Sequence, residues 1–105
     1  MTPQKIILGI IKPIISRMIP ESEIYLFGSR ARDENIENSD FDLLIISKNE
    51  YLPSEKAKIL SNLRLELARK GVPADLILNS KTEAQNNRQL PGHIVHEAFK
   101  EMIAI

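Results

Sequence analysis

At 105 residues the chain fits one small domain with one modest core. Its 43% hydrophobic and 27% charged residues mark a soluble, globular sequence rather than a disordered one, and the absence of cysteine excludes disulfides and thiolate metal sites, as fits a reducing cytoplasm. Fourteen Lys and Arg balance fourteen Asp and Glu, which argues against non-specific nucleic-acid binding, because that rests on phosphate neutralisation by an excess of cations.

Residues 4–19 read as a helix. Ile7, Ile11, Ile14, Ile15 and Met18 recur at helical spacing and form one apolar stripe. Pro13 is expected to kink or divide this helix, since it lacks an amide proton and crowds the preceding turn. Lys12, Pro13, Ser16 and Arg17 interrupt the short apolar run, so no membrane span is expected, and without a small-residue cleavage site no signal peptide is expected either. Residues 24–27 read as a short apolar strand ended by Gly28-Ser29, with a single helical turn over 29–32 and a polar loop over 33–39. Residues 41–46 form a second strand, whose unbroken apolar run after Asp42 predicts burial on both faces. Ser54 is the expected N-cap of a long helix running to Lys70, stopped by Gly71, with Ile59, Leu60, Leu63 and Leu67 facing the core. A third strand follows over 74–78, then a short helical piece after Thr82, a break at Pro91-Gly92, and a last helix over 94–103. Helix, strand, strand, helix, strand, helix implies an α/β or α+β fold: a small mixed sheet with flanking helices.

The chemistry is concentrated in "LFGSRARDENIENSDFDLLI", residues 26–45. Asp40 and Asp42 are two apart at the start of a strand. Their carboxylates therefore share one face, about 7 Å apart along the backbone, while Phe41 turns into the core. Two like charges so placed repel unless they are solvated or share a cation, and hard oxygen ligands suit Mg²⁺. Gly28-Ser29 ends the preceding strand. Glycine permits close approach of the backbone to a ligand, and successive N–H groups with a serine hydroxyl form an anion-binding corner. A glycine-serine turn alone is usually structural, and an isolated D-x-D usually serves solubility. A phosphate corner facing a metal pair points instead to a nucleoside triphosphate with magnesium.

Gly28-Ser29, ten residues, then Asp40, one residue and Asp42 spell G-S-x10-D-x-D. With the flanks "LFGSRAR" and "SDFDLLI", this resembles the minimal nucleotidyltransferases of the DNA polymerase β-like superfamily. The resemblance implies the polymerase β-like nucleotidyltransferase fold over a single domain, residues 1–105. It also implies a third metal-binding acid on the next strand, a position that Asp75 in "GVPADLIL" fills. Asp40, Asp42 and Asp75 would then be catalytic and hold two Mg²⁺ ions, and Gly28 and Ser29 would hold the β- and γ-phosphates of ATP. Arg30 is a further candidate for phosphate, balanced against a surface ion pair. For Arg32 the ion pair, with Glu34, Glu37 or another nearby acid, is the favoured reading. One departure stands out: Asp33 occupies a position that is often glycine in these proteins, a change that left-handed geometry tolerates at small cost. His93 and His96 are expected to serve the surface or a partner rather than to ligate metal or catalyse, and Tyr25 and Tyr51 to pack.

Proteins of this kind are commonly the antitoxin half of a pair with a HEPN-type ribonuclease toxin. The resemblance thus implies a cytoplasmic Mg²⁺- and ATP-dependent protein adenylyltransferase that moves AMP to a tyrosine hydroxyl of the toxin, with no membrane or direct nucleic-acid contact. The alternative is a non-catalytic antitoxin that neutralises its toxin by binding alone. A third option, transfer to a small molecule, would need an acceptor pocket for which the chain is short.

Overall fold

The computed structural model of the protein describes residues 4–32 and 40–105. The predicted polar loop over 33–39, with Asp33, Glu34 and Glu37, lies outside the described residues. In chain order the elements are α1 (Gln4–Met18), β1 (Glu23–Phe27), β2 (Phe41–Ser47), α2 (Pro53–Arg69), β3 (Ala74–Ser80), α3 (Lys81–Asn87), α4 (Ile94–Phe99) and β4 (Ile103–Ala104). The strands form one sheet in the order β3-β2-β1-β4. β1 pairs antiparallel with both β2 and β4, and β2 pairs parallel with β3, so the sheet is mixed, as expected of an α+β fold.

The alternation of side chains along β2 builds two cores. Phe41, Leu43 and Ile45 join Ile11, Ile14 and Ile15 of α1 and Leu63 and Leu67 of α2 on one face. Leu44 and Ile46 turn to the other face, with Phe27, Ala84 of α3, and Val95 and Ala98 of α4. Both faces of β2 are therefore covered, which explains why its apolar run does not alternate with polar residues.

Three elements differ most from expectation. First, α1 runs through Pro13 without division. One proline in a helix costs about 3 kcal/mol. Each buried aliphatic side chain gains about 1.5–3 kcal/mol, so the buried Ile11, Ile14 and Ile15 outweigh it. Pro13 itself lies on the exposed side, and its steric partner one turn back is Gly9, around which a side chain would meet nothing within 4 Å. Second, α2 begins two residues earlier than an N-cap at Ser54 allows. Leu52 is the N-cap, Pro53 opens the helix, and the Glu55 carboxylate accepts the Leu52 N–H at 2.9 Å. A proline in the first turn needs no N–H partner, and the glutamate satisfies the cap from within.

Third, the last helix ends at Phe99 rather than near 103. The amides of Glu101 and Met102 both close onto the Ala98 carbonyl, and the chain then returns to the sheet as β4. There Ile103 pairs with Leu26, Ala104 with Tyr25, and the Ile105 N–H donates to the Ile24 carbonyl at 3.0 Å. Backbone pairing on the open side of β1 wins over one more helical turn, because β1 would otherwise present unpaired N–H and C=O groups. β3 is also two residues longer than predicted, and α3 starts at Lys81 under a Ser80 cap whose hydroxyl accepts the Glu83 N–H at 3.2 Å.

Candidate active site

The site lies where β1 ends and β2 and β3 begin. Phe27 is opposite Asp42 in the antiparallel pairing, so Gly28 leaves β1 directly beside that acid. On the other side, the parallel register places Asp42 next to Asp75. Adjacent strands are about 4.8 Å apart, so two carboxylates from different parts of the sequence become neighbours. Asp42 is half-buried, while Asp40 and Asp75 are exposed. Phe41, between the two acids of the D-x-D, is buried in the α1/α2 core, which turns Asp42 to the opposite face.

Gly28 is needed for two reasons. Its φ is +75°, a left-handed conformation that costs other residues energy. A Cβ built there would lie 2.2 Å from Asp42 Oδ2, so the close approach of turn to acid leaves no room for a side chain. The turn that follows is a single helical turn: the Ala31 and Arg32 amides both donate to the Gly28 carbonyl at 3.1 Å. Ser29, partly exposed, is its first residue.

The electrostatics centre on Asp42. Its proton affinity is raised first by desolvation, then by the charges of Asp75 and Asp40 and, less, of Glu101; Arg32 acts in the opposite direction. Asp42 therefore feels the charges of both other predicted acids, a repulsion of the kind that a cation relieves. Among the described residues no group of three or more His, Asp or Glu side chains converges closely enough to hold a metal ion by itself.

The two arginines part ways. The Arg30 guanidinium lies 3.9 Å from the centroid of the Phe41 ring, toward the α1/α2 core and away from the face that carries Asp42. Arg32 is beside the acids: its Nη1 donates to Glu101 at 2.7 and 2.8 Å. The ion pair expected of Arg32 is present, with Glu101 as partner. The same carboxylate accepts the Gly28 N–H at 3.1 Å. Sequence reasoning missed Glu101, because a helix continued to residue 103 would have left it as one more solvated charge. Its signal is the register: β4 pairs with β1 so that residue numbers sum to a constant, which carries Glu101 opposite Gly28.

The remaining candidates are structural. His93 caps α4, accepting the Val95 N–H at 3.1 Å, and His96 Nδ1 contacts the Arg88 carbonyl at 2.6 Å. Tyr51 packs on the α1/α2 core, and Tyr25 packs on the other while its hydroxyl donates to Glu23.

Comparison with known proteins bears on the family and the fold. Residues 8–105 match the sequence model of a family described as "Nucleotidyltransferase domain". No curated protein sequence matches the chain significantly. Among solved structures, a toxin–antitoxin complex with AMP-PNP aligns over 93% of this chain and 70% of the other, with a TM-score of 0.58 at 19% identity. The complex of tri-AMPylated Shewanella oneidensis HEPN toxin with MNT antitoxin aligns over 97% of this chain and 71% of the other, with a TM-score of 0.59 at 16% identity. At such identities the likeness is one of fold.

Proposed function

The chain belongs to the nucleotidyltransferase-domain family, and on that premise we propose that it is a Mg²⁺-dependent protein adenylyltransferase, the antitoxin of a HEPN-type ribonuclease toxin. In this reading residues 1–105 act as one minimal nucleotidyltransferase domain. The observation that carries it is the packing of the Gly28 turn against Asp42, with Asp75 in register beside it. Support for nucleotide and partner comes from the fold neighbours, one holding AMP-PNP and one a tri-AMPylated HEPN toxin.

Asp40, Asp42 and Asp75 would hold Mg²⁺, two ions in full occupancy, whose charge stabilises both the attacking and the leaving oxygens of an in-line displacement. The chain's own part is placement and proton handling. Ser29 and the amides of the Gly28 turn hold the β- and γ-phosphates. Asp75, exposed on the strand beside Asp42, would help activate the attacking tyrosine hydroxyl by taking its proton. The tyrosine oxygen forms a bond to the α-phosphorus, the bond from that phosphorus to the β-phosphate oxygen breaks, and pyrophosphate leaves. Arg30 is a weaker candidate for phosphate, since its guanidinium is engaged over Phe41.

A second reading, neutralisation of the toxin by binding alone, draws on the fold neighbours, which were solved as toxin–antitoxin complexes. Intact mass spectrometry separates the two. After incubation of the cognate toxin with the chain, ATP and Mg²⁺, the toxin gains the mass of one or more AMP groups. A neutralised toxin of unchanged mass would leave binding as the mechanism.

A further inference from the structure

The candidate phosphate corner already holds an anion, and it comes from the chain itself. The Glu101 carboxylate accepts the Gly28 N–H at 3.1 Å and takes two hydrogen bonds from Arg32 Nη1, at 2.7 and 2.8 Å. A backbone N–H at a glycine turn together with a guanidinium is the donor set that oxyanions of phosphate seek, and charge-assisted bonds of this kind are the stronger ones. Nor is the contact a chance fold of a long side chain. β4 pairs with β1 as Leu26 with Ile103 and Tyr25 with Ala104, and the same register continued by two residues puts Glu101 opposite Gly28. The closing turn of α4, with the Glu101 and Met102 amides on the Ala98 carbonyl, holds the side chain there from the other side.

We propose that Glu101 is a built-in competitor of the nucleotide: its carboxylate occupies the corner in the resting protein and must leave before the β- and γ-phosphates enter, handing Arg32 to them. This rests on the nucleotide reading above and adds to it a resting state in which the site is closed by its own chain. A ligand that must first displace an internal occupant binds with an apparent affinity reduced by the fraction of molecules whose site is open.

The test is calorimetric titration of AMP-PNP with Mg²⁺ into the wild-type chain and Glu101→Gln, with AMP as control. Glutamine keeps the size and removes the charge that holds Arg32. Glu101→Gln is expected to bind AMP-PNP about tenfold more tightly than wild type, the penalty expected where the corner is filled about nine-tenths of the time, while AMP, which lacks the β- and γ-phosphates, changes little. Equal or weaker AMP-PNP binding by Glu101→Gln, with wild type binding normally, overturns the competitor and leaves the nucleotide reading intact. Absence of binding by both proteins overturns both. Should Glu101→Gln fail to fold, the wild-type chain alone decides. The carboxyl ¹³C resonance of Glu101 and the Gly28 amide must both shift as AMP-PNP saturates the site, and a Glu101 resonance that stays fixed while AMP-PNP binds overturns the proposal.

Discussion

Asp42 carries most of the local tension. Desolvation and the charges of Asp75 and Asp40 raise its proton affinity in the folded protein, whereas in the unfolded chain it titrates normally. A carboxyl that binds its proton more tightly when folded costs stability wherever it is ionised in both states. The destabilising contribution of Asp42 in the metal-free protein should therefore fade as pH falls through the raised folded value and vanish below the unfolded one. Asp42→Asn removes the charge. It should melt at a higher temperature than wild type at neutral pH, with the difference shrinking toward acid pH, as thermal denaturation monitored by circular dichroism across that range would show. A variant less stable than wild type at neutral pH would mean that the bond to its surroundings, not repulsion, dominates at Asp42. The D-x-D and the Gly28 turn were legible in the sequence because strand alternation and glycine conformation are local properties. Asp75 needed the resemblance, because its meaning lies in a register with Asp42 that no local pattern of the third strand encodes.

Among the elements, α1 shows how tertiary packing overrides a local breaker. Pro13 is exposed, and only the buried isoleucines hold the helix through it. Pro13→Ala should restore one backbone hydrogen bond and raise stability by about 1 kcal/mol or more, the full helix-propensity difference being about 3 and part of it offset by the freer unfolded chain. Urea denaturation measures this directly, and a destabilised variant would show that the proline shapes the helix rather than being tolerated by it. The C-terminal element was the least legible. Residues 94–103 carry apolar positions that a helix would use, but the backbone groups of β1 offered pairing that only the folded sheet presents, so the helix stops at Phe99 and β4 forms. That choice places Glu101 at the site. A similar limit applied to α2, whose start is set by Pro53 and Glu55 together rather than by the nearest serine.

At the scale of the molecule, a sheet with covered faces fixes three strand ends at one place, and the chemistry collects there. The mixed sheet and the flanking helices were readable from element order, whereas the nucleotidyltransferase family came from the resemblance of the G-S-x10-D-x-D motif and its flanks, whose residues 28 and 42 the β1/β2 pairing brings together. Among the described residues no helix is long and apolar enough to cross a membrane. The parallel β2/β3 pair is tied at its far end by Lys56 of α2, which donates to the Glu83 carboxylate of α3 at 2.9 and 2.8 Å, so the two helical layers are joined away from the site. The central claim is that this strand-end constellation transfers a nucleotide, and it is tested most directly by following ATP labelled at its α-phosphate. With Mg²⁺ and the cognate toxin, wild type should move the label onto the toxin, and Asp42→Asn, folded and still bound to the toxin, should lower the rate by at least about a hundredfold, the scale of losing one preorganised electrostatic group. Label transfer by Asp42→Asn at the wild-type rate would contradict the account.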